Sequence, residues 1–139
     1  MSYEIFNPSE MPPARGFSHG LLAPAGGRVL FIAGQTAHGT DGAPLPQSSG
    51  AEAFVGQFAK ALDNVLAVAA AAGGRPEHLG RFTVYVTDMA TYRSSLKALG
   101  DVYRQRMGRH FPAMALVAVS ELVDPGAMVE IEATAVLPT

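Results

Sequence analysis

An uninterrupted apolar segment near the C-terminus, followed by a turn and an alternating segment, limits the possible folds most. Every residue from 113 to 119 is apolar, which predicts a strand that is buried on both faces. Asp124-Pro125-Gly126 predicts a turn, and residues 129–133 then alternate apolar and acidic side chains, which predicts a second strand. Helices can cover one face of the apolar strand, and we expect a second subunit to cover the other.

The rest of the chain predicts an α+β domain spanning residues 1–139. Residues 3–6 and 81–87 have strand patterns, and Pro24-Ala25-Gly26-Gly27 predicts the turn of a hairpin between residues 19–23 and 28–33. Gly34 ends that strand and predicts a bulge or a close backbone approach. Residues 37–48, rich in Gly and Pro, predict a mobile surface loop.

Two helices complete the predicted order, which is β, β-hairpin, α, β, α, β, β. Ser49 and Glu52 have the spacing of a capping box, and an apolar stripe from Phe54 to Ala69 predicts the first helix. Asp88 predicts the start of a second helix that ends near Gly108. We expect both helices on one face of a single mixed sheet, since each has one apolar stripe to bury.

Composition excludes several function classes. Charged residues are 16% of the chain, below the usual quarter, which favours an oligomer in which subunits cover each other. The net charge of −2 and the scattered Lys and Arg residues give no basic surface for nucleic acid. The absence of cysteine excludes disulfides, thiolate metal sites and cysteine nucleophiles. We expect a cytoplasmic protein with neither a secretory signal nor a membrane span.

Carboxylates and histidines are the remaining candidates for chemistry. Glu130 and Glu132 share one strand face, a pairing that glycosidases use, but ordinary half-exposed strands show the same alternation and the chain has no Trp. The four histidines lack metal-ligand spacing, so we expect no metal site. His19 enters a strand after Ser18, and either lines a pocket or is an ordinary surface histidine; the second interpretation is the simpler one.

Several segments together resemble one known family. They are Ala33-Gly34-Gln35-Thr36, residues 61–65, residues 82–89, Phe111-Pro112-Ala113 and residues 129–133. These segments resemble the RidA/YjgF family of imine and enamine deaminases, also called endoribonuclease L-PSP or translation-inhibitor proteins. The resemblance implies a chorismate-mutase-like fold, a homotrimer with clefts between subunits, a small-molecule substrate and no cofactor.

The resemblance also implies particular site residues, and this chain departs from several of them. Members of the family carry a carboxylate-binding arginine after Pro-Ala, an early tyrosine, an asparagine on the second helix and a water-handling glutamate on the last strand. Glu130 matches the glutamate, Met114 stands at the arginine position and Phe17 at the tyrosine position. The asparagine position falls near Gly100. Arg15 or Arg109 is a candidate replacement for the missing cation.

Three functions follow from these positions. The first is a hydrolase of an imine or enamine, with Glu130 catalytic and with Phe17, Ser18, His19, Gln35 and Met114 lining the cleft. The second is a non-catalytic trimer that binds a small molecule in an apolar cleft. The third, cleavage of RNA or inhibition of translation, is the least favoured because the chain has no basic patch. Loss of the arginine predicts weak activity on 2-imino acids.

Overall fold

The computed structural model describes residues 2–139. Over that range the chain forms the following strands and helices, with a short 3-10 turn at Pro76–His78: β1 Glu4–Phe6, β2 Gly20–Leu22, β3 Arg28–Gln35, α1 Ala51–Ala71, β4 Leu79–Val86, α2 Met89–Ser94, α3 Leu96–Met107, β5 Ala113–Ala118 and β6 Val129–Leu137.

The main sheet is mixed and has the strand order β3-β6-β4-β5. Strand β6 is antiparallel to both of its neighbours, whereas β5 is parallel to β4. Strands β1 and β2 form a separate two-stranded ribbon. The helices pack against the sheet over a continuous core, so the predicted α+β class, with helices on one face of a mixed sheet, is confirmed.

The predicted hairpin pairing is wrong. The segments 19–23 and 28–33 do not form a hairpin, because β2 pairs with β1 and β3 pairs with β6. The glycine turn still reverses the chain there, and Gly26 has a φ of 79°. The two closing strands are also not neighbours, since β4 lies between β5 and β6.

Helix α1 buries the predicted stripe but begins differently from the prediction. Its N-cap is Gly50, with a φ of 91°, and no side chain caps it, so the predicted capping box at Ser49 is wrong. The helix starts one residue later than that motif requires. The predicted glycine end is confirmed: Gly73 donates to the carbonyl of Ala70 and Gly74 to that of Ala69. The buried residues of the stripe are Phe54, Phe58, Ala61, Leu62, Val65 and Ala69.

By length and composition alone, α1 could cross a membrane, since its 21 residues have a mean hydropathy of 1.2. Core helices of folded domains meet the same criterion. The stripe of α1 packs on β3 and β6 within the hydrophobic core, which is the arrangement of such a core helix.

The predicted second helix is divided in two at Ser95. Asp88 caps α2 as predicted, and its side chain accepts a hydrogen bond from the Thr91 amide. The Ser95 hydroxyl donates to the Thr91 carbonyl at 2.7 Å, while its own amide donates to Tyr92. These local hydrogen bonds replace one step of the helical pattern. Residues of α3 after this division line the cavity described below.

Candidate functional site

The main sheet has one face covered by helices and one face that the described chain leaves open. Phe82, Val84 and Val86 of β4 are buried under the helices, and the alternate residues point to the open face. Strand β5 was predicted to be buried on both faces, but its open-face residues Ala115 and Val117 are exposed in the single chain. Cover of this face by a second subunit stays a prediction.

A cavity of about 530 Å³ lies on the helix side of the sheet. It reaches from the loop before β2 to the strands β4, β5 and β6, under α1 and α3. Phe17 and Met114, which the sequence placed in one pocket, both line it. The other apolar residues of its wall are Phe58, Leu62, Phe82, Val84, Tyr92, Leu96, Leu99, Tyr103, Phe111, Leu116 and Ile131.

Two aromatic rings form a fixed part of the cavity wall. The rings of Tyr103 and Phe111 stack with their centroids 5.4 Å apart and an angle of 4° between planes. The Tyr103 hydroxyl donates to the His110 carbonyl at 2.6 Å. Burial raises the pKa of the Tyr103 phenol, so the phenol stays neutral and keeps this hydrogen bond into alkaline solution.

Two arginines lie on the cavity wall, and one of them was not predicted. Of the two candidate replacement cations, Arg15 lines the cavity and Arg109 does not, and the second arginine of the wall is Arg104 of α3. Arg104 forms an ion pair with Asp101 and lies over Gly100, where an added Cβ atom would be 3.4 Å from its Nη1. The spacing of Arg104 and Gly100, four residues apart on one helix face, was the available signal.

Glu130 lies on the open face of the sheet and therefore not in this cavity. It pairs with Tyr85 across the strands, whereas Met114 pairs with Phe82 on the helix side. Its half-buried side chain packs on Gly34, where a Cβ atom would collide with the carboxylate. The register of β3 and β6 shifts between Ile32 and Gln35. The bulge and close approach predicted at Gly34 are confirmed.

The neighbouring carboxylate, Glu132, is already engaged by a tyrosine. The Tyr85 hydroxyl donates to Glu132 Oε1 at 2.6 Å. This hydrogen bond is the main cause that raises the pKa of the Tyr85 phenol. Of the two carboxylates on this face, Glu130 is thus the one that no tyrosine side chain engages.

Ser18 and His19 make contacts that hold the loop before β2. Ser18 is buried, and its hydroxyl donates to the Phe111 carbonyl at 2.6 Å. The His19 ring lies 2.8 Å from the Pro12 carbonyl and packs edge-on against Phe17, with centroids 5.0 Å apart. Neither side chain lines the cavity. Both hold Phe17 in place at the cavity wall.

Gln35 is also outside the cavity. Its amide donates to the Ala33 carbonyl at 3.0 Å, and its Oε1 lies 2.8 Å from His38 Nε2. The loop that follows, predicted to be mobile, is anchored by Asn64, whose amide donates to the carbonyls of Thr36 and His38. Gln35 lies near Glu130 only through the shared β3–β6 ladder. Within residues 2–139, no three His, Asp or Glu side chains cluster as metal ligands would.

Comparisons with known proteins find similar sequences and the same fold. The model of the family Endoribonuclease L-PSP matches residues 8–137. The structure of YyfB from Yersinia pestis, a Rid-family protein of unknown function, is 30% identical, with a TM-score of 0.83 over 99% of this chain and 100% of that chain. A Mycobacterium tuberculosis member of the YjgF/YER057c/UK114 family is 29% identical, with a TM-score of 0.59 over 88% and 87% of the two chains.

RidA from an Antarctic Psychrobacter shares the fold at 24% identity, with a TM-score of 0.64 over 96% of this chain and 99% of that one. No functionally curated protein shows significant similarity to the chain.

Proposed function

The chain belongs to the endoribonuclease L-PSP family, the Rid/YjgF proteins, and we propose that it is a homotrimeric hydrolase of imines or enamines with active sites shared between subunits. The observation that carries this proposal is the separation of two half-sites. One protomer holds an apolar cavity without an acid, and its acid, Glu130, lies on the other face of the sheet. A second copy is needed to bring the two together.

The open face of the sheet supports association of copies. Phe31 on this side is 80% exposed, Val29 is 56% exposed and Val117 is 42% exposed. Exposed apolar side chains grouped on one face are typical of a protein interface. The low charge of the sequence points the same way. The number of three subunits comes from the family.

The chemistry assigned to Glu130 is activation of water. Its carboxylate accepts a proton from water as the oxygen bonds to the imine carbon, and the electron pair of the C=N bond moves to nitrogen, which takes up a proton. The carbinolamine then collapses, the C–N bond breaks, ammonia leaves and a carbonyl forms. One imine and one water give one carbonyl compound and one ammonia. No cofactor is needed for this balance.

The substrate differs from a simple 2-imino acid, because Met114 offers neither a charge nor a hydrogen-bond donor at the arginine position. A charge-assisted contact to a carboxylate in a secluded site contributes about 2–5 kcal/mol, so its loss weakens binding by tens- to thousands-fold. The lining of Phe17 and Met114 instead favours an apolar group at this position. We expect weak activity on 2-imino acids and better activity on imines without a carboxylate beside the C=N bond.

A non-catalytic trimer that binds a small molecule is the second candidate, and the apolar lining of the cavity favours it. The two candidates differ in their need for Glu130: a binding protein keeps its affinity in Glu130→Gln, whereas a hydrolase loses turnover. The third candidate, RNA cleavage, finds least support in a chain with a net charge of −2. A cytoplasmic location is proposed because a cysteine-free chain suits a reducing compartment.

The test is hydrolysis of imines that are formed in the assay by an amine oxidase or an amino acid oxidase, with ammonia release measured. Glu130→Gln should lower the rate by about 10²-fold or more, the usual loss when a general base is removed. Glu132→Gln, on the same face of the same strand, is the matched control and should keep most of the activity. Equal rates for wild type and Glu130→Gln would contradict the hydrolase and leave the binding protein.

A further inference from the structure

We propose that the cavity behind Phe17 and Met114 binds an organic anion with an aromatic body, whose ring enters the cavity while its negative group stays at the rim on Arg104 and Arg15. This inference rests on the proposed function, since it concerns the same site, and it specifies the class of ligand and its orientation.

The interior of the cavity fits an aromatic ring. Its floor is formed by side chains of the sheet and of α1 that water hardly reaches, with Leu62 1% exposed, Phe82 2% and Ile131 1%. The stacked rings of Tyr103 and Phe111 both line the cavity. Aromatic rings pack favourably by stacking or edge contact against such walls. A volume of about 530 Å³ is within the usual range for small-molecule sites.

The rim of the cavity selects for negative charge. Arg15 and Arg104 are the only charged side chains of its lining, and no Asp or Glu of the described chain joins them. Arg104 is 64% exposed and held by Asp101, which leaves further guanidinium donors for a ligand. Arg15 makes no ion pair with any of residues 2–139. Asp101 offsets the charge of Arg104, so the net positive charge of the rim comes from Arg15, while both guanidinium groups offer donors to an anion; the electrostatic part of this attraction weakens with salt.

The orientation follows from the separation of these two regions. An anion placed deep beside Met114 would lose its hydration without gaining a partner, which is costly. At the rim the same anion keeps contact with water and meets the arginines. Arg104 lies over Gly100, so its guanidinium stays on the cavity side of α3.

Binding of three matched probes to the full-length protein tests the proposal. Hydrocinnamate has the ring and the carboxylate, propionate lacks the ring, and hydrocinnamamide lacks the charge. We expect hydrocinnamate to bind about tenfold or more tightly than propionate, since its ring is removed from water in the cavity. It should also bind several-fold more tightly than the amide at low ionic strength, and this advantage should decrease as salt is added. Methyl NMR signals of Met114, Leu99 and Leu116 should report the contact.

Variants separate the rim from general charge effects. The double variant Arg104→Gln and Arg15→Gln should bind hydrocinnamate and its amide equally well. It should still bind hydrocinnamate more tightly than propionate. Arg93→Gln, which removes an exposed arginine outside the cavity, is the control and should change neither. Preference for the anion that survives the double variant would overturn the assigned rim. Equal affinities for hydrocinnamate and propionate would overturn the claim that the ligand has an aromatic ring in the cavity.

These outcomes are independent of catalysis. Binding of the probes is measured without turnover. If the probes show no ring or charge preference while imines are hydrolysed, the ligand class is wrong and the proposed function stands. If the probes bind as expected but no imine is hydrolysed, the ligand class stands and the hydrolase is wrong.

Discussion

Met114 and Glu130 lie on opposite faces of one four-stranded sheet. Met114 pairs with Phe82 on the helix side, and Glu130 pairs with Tyr85 on the open side. A protomer alone therefore cannot direct both side chains at one ligand. A site that uses both residues must therefore include two copies of the chain, each of which supplies one of the two side chains.

Activity on small 2-imino acids should be low and should rise when the arginine is introduced. In a threonine dehydratase reaction, wild type should hardly accelerate the release of 2-ketobutyrate, and Met114→Arg should accelerate it by tens-fold or more. Leu116→Arg, on the same strand face in the same cavity, controls for a charge placed elsewhere in the cavity. Fast release with wild type that Glu130→Ala abolishes would show that Met114 does not limit the reaction.

Gly34→Ala should displace Glu130. The added methyl group collides with the carboxylate, so we expect a loss of imine hydrolysis and a decrease of about 1–3 kcal/mol in the free energy of unfolding. Gly56→Ala is the control, because this exposed position in α1 has open space around it and should gain about 0.5–1 kcal/mol. Denaturant unfolding and the imine assay measure both effects. A fully active Gly34→Ala would contradict the claim that a side chain at this position displaces Glu130.

Gln57 should contribute to stability by joining α1 to the start of β6. Its amide donates to the Gly126 carbonyl at 2.9 Å, and its carbonyl accepts from the Met128 amide at 2.8 Å. Gln57→Leu leaves both backbone groups without these partners, so we expect a loss of about 1–3 kcal/mol in denaturant unfolding. The exposed Gln47, changed to Leu, should cost much less. Equal losses would contradict this role.

Titration of Tyr85 should depend on Glu132. The hydrogen bond to Glu132 raises the folded-state pKa of Tyr85 above its unfolded value of about 10. Its stabilising effect is thus complete below the unfolded pKa and is lost as pH rises through the folded pKa. In Glu132→Gln the phenolate should form at lower pH. The phenolate absorbance is followed as pH rises, and the signal of Tyr85→Phe is subtracted so that the titration of Tyr85 alone remains. An unchanged titration would contradict the pairing.

The sequence predicted what local patterns determine. The stripe from Phe54 to Ala69, the cap at Asp88 and the close approach at Gly34 depend on neighbours in the chain or on one residue type, and the structure confirms each. The capping box at Ser49 failed by a single residue, since Gly50 adopts a left-handed conformation that starts the helix after it.

Strand pairing and the composition of the cavity could not be predicted in the same way. The separation of β5 from β6 by β4 depends on contacts between residues far apart in the chain. The opposite orientation of Met114 and Glu130 depends on the registers of two ladders, which no single strand pattern contains. The spacing of Arg104 from Gly100 could have placed the two on one helix face, but the shared cavity of Arg104 and Phe17 arises only when α3 packs beside the N-terminal loop.

Mixing of subunits tests the central claim most directly. Glu130→Gln should remove the catalytic acid of each site, and Met114→Trp should block the cavity with a larger side chain. Each variant alone should therefore be inactive. The two variants are then refolded together in equal amounts. Each site needs an intact Glu130 from one subunit and an intact Met114 from its neighbour, and each is present with a probability of one half. Mixed trimers should therefore regain about a quarter of the wild-type sites. Mixtures that stay as inactive as the separate variants, although mass spectrometry shows mixed oligomers, would contradict a site shared between subunits.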